Sequence, residues 1–523
     1  MSASDSESDQ DEQGNQVRVS LKLANSVRDR SLEVPTESIA VPADIGRKGL
    51  TAVLNHLLGR SVVHKSSDDD DGGDEDNSDD DDDEKLPPIT FEFVVKGTSN
   101  RLLRKGIEKE ARQHGLSLEE AISITYFPAA NVPERKDDED TLPDWVSCLS
   151  ACSMPSSDGD DVNNNFVFSG CYDGSIQAYK RKTDNSLTKV DTIAGTTGSI
   201  KAMATGQINN KVWIASAALD HSLNIHTFES INNNGKGRLQ SYGQCVHAEN
   251  ELGSSSSAFT SVDFSSTKTA NILASGNGNG KISIWNMKNV VENHTTGTDK
   301  KRQKGSNSKK SKASSSKQEI SATVHFENSH SQSVTGLSWG NHNKLNTDGS
   351  DSSGIGTHLI SGSWDHSIKL WDVEKENCLL TLNGARVVSC LDTSYHSEGV
   401  VATGHPDCTI RLWDVRTNNS KQDTMLISDN TFRPSHKAWV SSVKWSQSNA
   451  YQLASTSHDG SVKVWDIRSS TPLHTVRTFS KEEKGLTLLW LPPISAPTEG
   501  EEGKSHEAIY AGGTDCIIKR LGV

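Results

Sequence analysis

A short pattern of polar and apolar residues recurs along the chain beyond residue 145. Each copy begins with small residues, continues through an Asp at a turn to an aliphatic residue, and ends with an aromatic. The clearest copies are Ser361 to Trp371, Thr403 to Trp413 and Ser455 to Trp465. Weaker copies begin at Ser169, Ser216, Ser275 and Ala511, which makes seven in all. A repeat of this kind indicates a stacked architecture, because one unit cannot bury both of its faces alone.

The sixth copy shows the predicted content of one unit. Its alternating segments predict four strands, at Val440–Ser446, Tyr451–Ser457, Ser461–Ile467 and Leu473–Thr478. Asp459-Gly460 between two of them is a hairpin signal. Four short strands in about 40–45 residues, with a Trp-Asp ending, are typical of a propeller blade. The sequence therefore predicts a seven-bladed β-propeller over residues 145–523, a mainly β fold.

These repeats resemble the WD-repeat family. The resemblance implies a buried network in each blade, made by a His before the first strand, a Ser or Thr, the turn Asp and the Trp. The matching residues are His330, Ser361, Asp365 and Trp371 in blade four, Asp407 and Trp413 in blade five, and His436, Ser455, Asp459 and Trp465 in blade six. Asn279 stands for the Asp in blade three and His226 for the Trp in blade two. We therefore expect these two blades to be less tightly specified.

The chain ends within the third predicted strand of blade seven. Closure of the ring then needs a strand from the amino-terminal side, just before Trp145. Ile122–Phe127 is the candidate, but it is equally suited to be the last strand of the preceding domain. The sequence leaves this choice open.

A second folded unit precedes the propeller at residues 17–127, followed by a predicted linker over 128–144. Its sequence predicts two helices between three strands, and the apolar spacing of the first helix is amphipathic. The predicted elements are a strand at Val17–Leu23, a helix at Ile45–Leu58, a strand at Phe91–Val95, a helix at Leu102–His114 and a strand at Ile122–Phe127. This order suits a small ubiquitin-like α+β domain.

The net charge of −15 over 523 residues is concentrated in two segments. Residues 68–84 hold 13 acidic side chains and residues 1–12 hold five, and without them the remainder carries +3. Such a charge density opposes a packed core, so we expect a disordered tail at 1–16 and a disordered insertion at 66–86. A solubilising insertion is favoured over mimicry of nucleic acid or binding of basic ribosomal proteins.

A basic insertion is predicted at 289–320, after blade three. Residues 299–317 carry eight basic side chains among Ser and Gly. Such clusters indicate nuclear localisation or contact with RNA phosphates, and the two roles are compatible. The candidate residues are Lys300, Lys301, Arg302, Lys304, Lys309, Lys310 and Lys312.

Several classes of protein are disfavoured by the sequence. No apolar run is long enough to span a membrane, and the acidic start of the chain does not resemble a signal peptide. The eight cysteines form no CxxC pair, which favours reduced thiols over disulfides or a zinc site. The recurring Ser, His and Asp follow the blade spacing, so we interpret them as structural and not as a hydrolase triad. We therefore expect no enzymatic activity.

Several motifs before the repeats carry a further resemblance. They are Gly49-Leu50, Asn55–Gly59, Phe91–Val95, Gly115–Ser117 and the junction Asp144–Ser147. They resemble the NLE domain that precedes the propeller in the ribosome-biogenesis WD-repeat proteins of the PeBoW complex. The Notchless proteins are near relatives, usually with one more blade. The acidic insertion and a Ser/Asn-rich blade periphery depart from the family pattern.

The resemblance implies a scaffold for assembly of the large ribosomal subunit in the nucleolus and nucleoplasm of the nucleus. The implied partners are Pescadillo, its block-of-proliferation partner and the large-subunit pre-ribosome, and the resemblance leaves direct contact with pre-rRNA open. The scaffold is then needed for maturation of large-subunit and 5.8S rRNA.

The resemblance also implies a docking role for the NLE domain. It binds the metal-ion-dependent adhesion site (MIDAS) of midasin, an AAA ATPase that releases the complex from the pre-ribosome. An acidic NLE side chain completes the Mg²⁺ shell of the partner, so no cofactor is bound by this chain alone. By its position after Gly115–Ser117 that residue is Glu119, with Glu120 as the alternative. Mg²⁺ often takes only one or two protein carboxylates, which makes a ligand supplied by another chain reasonable.

Two other functions stay open at this point. One is a Notchless-like pre-ribosome factor, and the other is a substrate receptor of a ubiquitin ligase. Propellers serve many unrelated functions, so the fold alone does not separate these alternatives.

Overall fold

The structure of the chain is a computed structural model that divides into two compact units, residues 1–131 and 132–523. The structure describes all residues except 1–15, 26, 28, 36, 61–86, 99–100, 155–163, 209–210, 231–236, 247–256, 266–270, 288–317, 327–328, 341–357, 385, 398, 416–424, 427–434, 470 and 495–506. The acidic insertion, almost all of the basic insertion and almost all of the acidic tail therefore lie outside the described residues.

The described residues of the first unit form four strands and two α-helices. They are β1 (Gln16–Leu23), β2 (Ser38–Pro42), α1 (Arg47–Leu57), β3 (Phe91–Val95), α2 (Ile107–Gln113) and β4 (Ile122–Pro128), with a 3-10 turn at Arg30–Leu32.

The sheet of this unit has the order β2-β1-β4-β3, with β1 and β4 parallel and the outer pairs antiparallel. The two helices pack their apolar residues on one face of this mixed sheet, which confirms the predicted ubiquitin-like fold. The core includes Val19, Leu50, Phe93, Ile107 and Ile124. The predicted order lacked β2, whose sequence Ser-Ile-Ala-Val-Pro buries only one side chain.

Helix α2 is shorter than the predicted helix Leu102–His114. Leu102 instead pairs with Val94 in an isolated bridge. Gly106 lies against the backbone of Asp44, and the N–H of Ile107 donates to the carbonyl of Ile45. The helix can start only after this close backbone approach, so tertiary contact overrides the apolar spacing.

The described residues of the second unit form a ring of seven sheets, in which neighbouring strands are antiparallel except for one parallel pair in blade two. In blades one to four the strands are β6 (Val146–Met154), β7 (Asn164–Cys171), β8 (Ser175–Arg181), β9 (Leu187–Ala194); β10 (Ile200–Ile208), β11 (Lys211–Ala218), β12 (Leu223–Ser230), β13 (Gly237–Val246); β14 (Phe259–Phe264), β15 (Ile272–Asn277), β16 (Ile282–Asn286), β18 (Val324–Phe326); and β19 (Val334–Trp339), β20 (His358–Ser363), β21 (Ser367–Asp372), β22 (Asn377–Asn383).

In blades five to seven the strands are β23 (Cys390–Thr393), β24 (Val400–Gly404), β25 (Ile410–Asp414), β26 (Met425–Leu426); β27 (Val440–Trp445), β28 (Gln452–Ser457), β29 (Ser461–Asp466), β30 (His474–Arg477); and β31 (Gly485–Leu491), β32 (Ala508–Gly513), β33 (Ile517–Gly522), β5 (Glu134–Thr141). The seven predicted blades are confirmed, and the four strands of blade six lie within one residue of their predicted limits.

The first strand of each blade lies at the centre of the ring. Each of these inner strands contacts the next, and β31 contacts β6, so the ring is closed. Hydroxyl groups at the start of the inner strands join neighbouring blades. Thr260, Thr335, Ser389 and Ser441 donate to the carbonyls of Val334, Val388, Val440 and Gly485 at 2.6, 2.6, 2.7 and 2.7 Å.

The strand that closes blade seven is β5, and Ile122–Phe127 is not used for this purpose. Ile122, Ile124 and Tyr126 pack into the core of the first unit, where β4 pairs with β1. Strand β5 pairs with β33 in antiparallel register, Glu134 opposite Gly522 and Thr141 opposite Ile517. The predicted linker 128–144 is therefore wrong over these residues. An outer strand needs backbone hydrogen bonds but little apolar surface, so its charged sequence concealed it.

Two predicted segment limits also change. Residues 318–320, predicted to belong to the basic insertion, lie in β17 (Gln318–Ser321), which pairs in parallel with β13 as a fifth strand of blade two. Gln16, predicted to lie in the tail, begins β1.

All eight cysteines are free thiols. Among the described residues no helix is long and apolar enough to cross a membrane.

Candidate functional site

Glu119 and Glu120 lie in the loop between α2 and β4, and both are exposed. The local sequence explains this position. Gly115 adopts a φ of 67°, and the N–H of Leu116 returns to the carbonyl of Ala111 at 2.9 Å. This is the helix-ending motif in which Gly supplies a left-handed residue. The loop leaves the helix in a fixed direction.

The side chains on either side of Ser117 hold the loop on the domain. Leu116 and Leu118 pack against the hydrophobic core of the first unit. The hydroxyl of Ser117 accepts the N–H of Glu119 at 3.3 Å. Within the described part of the chain, no basic side chain forms an ion pair with Glu119 or Glu120. The loop therefore presents two carboxylates on an anchored backbone.

Three or more potential metal ligands do not come together anywhere in the described ranges. The chemistry available at Glu119 is therefore that of a single carboxylate, or of an adjacent pair. Such a group can supply one oxygen to a hard cation that another protein holds.

The predicted network of blade four is assembled in the structure. The Nδ1–H of His330 donates to Oδ2 of Asp365 at 2.9 Å, and Nε2 accepts the hydroxyl of Ser361 at 2.7 Å. Nε1 of Trp371 donates to the same Ser361 oxygen at 2.8 Å. The imidazole is completely buried. This Ser–His–Asp set is buried, and its serine oxygen also accepts a hydrogen bond from an indole. No substrate reaches the hydroxyl, so the set has a structural role.

Blade six repeats the arrangement. His436 lies 3.1 Å from Asp459 and 2.7 Å from Ser455, and Trp465 donates to Ser455 at 2.8 Å. Burial lowers the pKa of the imidazole, which favours its neutral form. Burial opposes ionisation of Asp459 as well, but hydrogen bonds from His436 and Lys437 outweigh it and lower the pKa of this carboxyl.

Blade five builds its network differently. Trp413 donates to Thr403 Oγ1 at 2.8 Å, but the imidazole on Thr403 belongs to His405, in the turn that follows the strand. Asp407 does not bond this His. It accepts the hydroxyl of Thr409 and pairs with Arg411 at 2.8 Å. The Thr-Gly-His-Pro-Asp sequence was the available signal for His405, but the family pattern directs attention to a His before the first strand.

In blades two and three, other residue types occupy positions of the hydrogen-bonding network. His226, at the Trp position of blade two, is fully buried and lies 3.0 Å from Ser216 through Nε2. In blade three Trp285 donates to Ser275 at 2.8 Å. In the turn of this blade, the side-chain oxygen of Asn277 accepts the N–H groups of Asn279 and Lys281. Asn277 therefore makes the turn contact that was expected from Asn279. The basic candidates Lys300 to Lys312 lie outside the described residues.

Different protein-family models match the two units of the chain. The NLE (NUC135) domain model matches residues 19–109. The WD domain, G-beta repeat model matches residues 321–372. The model for the amino-terminal domain of nucleolar protein 10-like proteins matches residues 357–482. The chain is thus similar to the NLE domain over part of its first unit and to WD-repeat propeller models over part of its second.

Full-length relatives refine this class. A ribosome biogenesis protein WDR12 homolog of Chlamydomonas reinhardtii is 26% identical, over 93% of this chain and 94% of that protein. Homologs with the same name from rice, Oryza sativa subsp. japonica, and from Dictyostelium discoideum are each 27% identical, over 90% and 95% of this chain and 92% and 94% of theirs. This similarity confirms the predicted resemblance to the WD-repeat ribosome-biogenesis proteins.

Proposed function

We propose that the protein is a non-enzymatic assembly factor for the large ribosomal subunit. The observation that carries this proposal is the match, across both units, to relatives named as ribosome biogenesis proteins. The buried Ser–His–Asp sets support a scaffold, since their polar atoms are used within the blades. A nuclear and nucleolar location follows from this function.

The finer proposal is that the NLE domain docks on the MIDAS domain of midasin through Glu119. Three properties support it: the carboxylate is exposed, its loop is anchored by Leu116 and Leu118, and no described cation neutralises it. A carboxylate supplied to a Mg²⁺ ion held by another protein makes the contact depend on the metal. Release of the complex from the pre-ribosome by the ATPase is then coupled to this contact.

Binding of the purified full-length protein to a recombinant midasin MIDAS domain tests this proposal. The proteins compared are the wild type, Glu119→Ala, Glu120→Ala and the control Glu37→Ala, which removes another exposed carboxylate of the same unit. We expect Mg²⁺-dependent binding that Glu119→Ala abolishes and Glu37→Ala preserves. Loss with Glu120→Ala alone would transfer the role to that residue. Unchanged binding by both variants in Mg²⁺ would refute the docking contact.

The propeller is proposed to hold the Pescadillo and block-of-proliferation partners. Trp145, Trp364 and Trp439 are 45%, 43% and 48% exposed. Trp145 and Trp439 directly precede inner strands β6 and β27, and Trp364 bonds to Ser333, just before β19. The three indoles therefore surround one end of the ring. Exposed Trp is enriched at the energetic centres of protein interfaces, which supports a partner surface here.

Affinity purification from nuclear extract tests this part of the proposal. We expect the double variant Trp145→Ala/Trp439→Ala to recover less of both partners than the wild type. Leu379→Ala, on outer strand β22, removes a side chain that is 46% exposed and is the matched control. Equal recovery by all three proteins would place the partner surface elsewhere. Recovery of ubiquitin-ligase subunits in place of these partners would favour the receptor function.

A further inference from the structure

In the blades with a complete hydrogen-bonding network, both oxygens of the turn Asp have donors within the blade. In blade six, Oδ2 of Asp459 accepts the Nδ1–H of His436 and the N–H of Lys437 at 3.1 and 2.8 Å. Oδ2 of Asp365 accepts the two equivalent donors in blade four. These donors come from the residues four and three positions before the inner strand.

Blade one lacks both donors to Oδ2 of its turn residue, Asp173. The two positions before inner strand β6 are Leu142, which replaces the His, and Pro143, which has no N–H to donate. Oδ1 of Asp173 accepts the N–H and the hydroxyl of Ser175 at 2.9 and 2.7 Å. No donor among the described residues contacts Oδ2, and the side chain is exposed. An oxygen that blades four and six use internally is therefore available at the surface of blade one.

Two aromatic rings accompany this carboxylate. Trp145 directly precedes β6, and Tyr172 directly precedes Asp173 in the turn. The N–H of Tyr172 donates to the carbonyl of Trp145 at 3.0 Å. The two rings pack edge to face, with their centroids 5.4 Å apart and their planes at 68°. The rings are thus fixed to each other, while the indole stays 45% exposed and open to a ligand.

A second carboxylate lies next to the indole in the chain. Oδ1 of Asp144 accepts the N–H of Trp145 at 2.7 Å. Within the described part of the chain, no Lys or Arg forms an ion pair with Asp144 or Asp173. Burial raises the pKa of the Cys148 thiol in this blade to about 11, and the charge of Lys201 opposes that rise, but Lys201 pairs with neither carboxylate. The aromatic pair therefore has an unpaired carboxylate on each side in the sequence.

We propose that Asp144, Trp145, Tyr172 and Asp173 form a binding site for an arginine or lysine side chain of a basic protein segment, and we call it the blade-one site. The face of an indole attracts a cation, and a carboxylate accepts a charged hydrogen bond from it. Arginine fits best, because its planar guanidinium stacks on an aromatic ring and donates in pairs to a carboxylate. The two carboxylates repel phosphate, which disfavours a nucleic acid. The choice of a protein segment rests on the proposed function, in which Trp145 belongs to a partner surface.

Peptide binding by the purified full-length protein tests the inference. The probes are short fluorescein-labelled peptides of Gly and Ser that differ only at one central residue, which is Arg, Lys, Gln or Glu. Fluorescence anisotropy measures the dissociation constants. We expect the Arg peptide to bind most tightly and the Lys peptide less tightly, and the Gln and Glu peptides to bind at least about tenfold more weakly than the Arg peptide. Added salt should weaken binding of the Arg peptide, because it screens the contact between exposed charges.

Two variants locate the binding site, and a third is their matched control. Asp173→Asn removes the charge but keeps the oxygen that accepts from Ser175, and it should weaken binding of the Arg peptide at least about tenfold, as should Trp145→Ala. The control is Asp184→Asn. Asp184 is also exposed in blade one, and its Oδ1 accepts the N–H and the hydroxyl of Ser186 at 2.9 and 2.7 Å, which is the pattern at Asp173. This control should bind the Arg peptide as the wild type does.

Three results would overturn the inference. They are equal binding of the Gln and Arg peptides by the wild type, equal binding of the Arg peptide by Asp173→Asn and Asp184→Asn, and preferential binding of the Glu peptide. The peptide assay contains no nuclear partner, whereas the affinity purification measures recovery of the partners themselves. The blade-one site and the proposed partner surface therefore fail independently.

Discussion

Thr403 and His405 form a bonded pair inside blade five: the Thr403 hydroxyl donates to Nε2 of His405 at 2.8 Å. The other ring nitrogen, Nδ1–H, donates to the carbonyl of Val387 at 2.8 Å. Since the indole of Trp413 already donates to Thr403 Oγ1, the hydroxyl proton points to the imidazole. The pair therefore requires neutral His405, with its proton on Nδ1.

Protonation of His405 should destabilise the propeller. Burial, followed by the charge of Arg411, lowers the pKa of His405 from 6.5 to about 4. Between these values the unfolded chain binds more protons, so stability is complete above about pH 6.5 and is lost as the pH falls towards 4. The loss from this group is about 3 kcal/mol at one pKa unit per 1.36 kcal/mol.

Urea unfolding between pH 5 and 7.5, followed by Trp fluorescence, checks this expectation. Other buried imidazoles, including His330 and His436, also have lowered pKa values and contribute to the slope. The informative comparison is therefore with His405→Gln, which cannot titrate and should show a shallower pH dependence. Identical slopes for the two proteins would contradict the assigned role.

The hydrogen-bonding network of blade six should contribute more to stability than the equivalent position in blade seven. His436→Ala leaves Asp459 and Ser455 without their buried partner, and we expect a loss of about 1–3 kcal/mol in the free energy of unfolding. Lys481→Ala changes the matching position in blade seven, where the side chain is exposed, and should cost less than about 0.5 kcal/mol. Urea unfolding of both variants measures the difference. Equal losses would mean that the network adds little.

In the first unit, Tyr126 holds an irregular segment on the sheet. Its hydroxyl accepts the N–H of Val34 at 3.0 Å and donates to the carbonyl of Leu32 at 2.8 Å, and all of this is buried. Tyr126→Phe should therefore cost about 1–3 kcal/mol, because two buried backbone groups lose their partner. Hydrogen exchange at Val34 measures the local effect. Tyr172→Phe serves as a control, and a Val34 exchange rate that is unchanged in Tyr126→Phe would rule out the tie.

The features recovered from the sequence are those with a repeated or periodic signal. The strands of blade six and β3 agree because their apolar residues alternate or fill a buried strand. Strand β5 was missed because an outer strand of charged residues has no such period. The length of α2 was wrong because a contact with Asp44, distant in sequence, decides where it begins.

The sequence predicted some residues of the candidate sites correctly and missed others. The networks of blades four and six follow directly from the repeat. In blade five the imidazole is that of His405, whereas the repeat places a His before the first strand. The family resemblance points to Glu119, but its exposure depends on how Leu116 and Leu118 pack.

Close backbone contacts hold the start of α2, the helix that leads to Glu119. The first N–H groups of the helix, those of Ile107 and Glu108, donate to the carbonyls of Ile45 and Ala43 at 3.1 and 2.9 Å. A Cβ on Gly106 would lie 2.6 Å from the carbonyl oxygen of Asp44 and 3.1 Å from its Cα. Because these are backbone atoms, Gly106→Ala must separate the two segments, and we expect a loss of about 1–3 kcal/mol.

Gly46→Ala is a matched control, since Gly46 also precedes a helix and a Cβ there meets nothing within 4 Å. Hydrogen exchange along α2 in the full-length protein measures the effect, and we expect faster exchange in Gly106→Ala than in Gly46→Ala. Because the contact holds the helix whose end directs the loop, Gly106→Ala should also weaken the proposed Mg²⁺-dependent binding to midasin while Glu119 stays intact. Similar exchange in the two variants would show that the helix start tolerates a side chain and that the Asp44 contact does not position the loop.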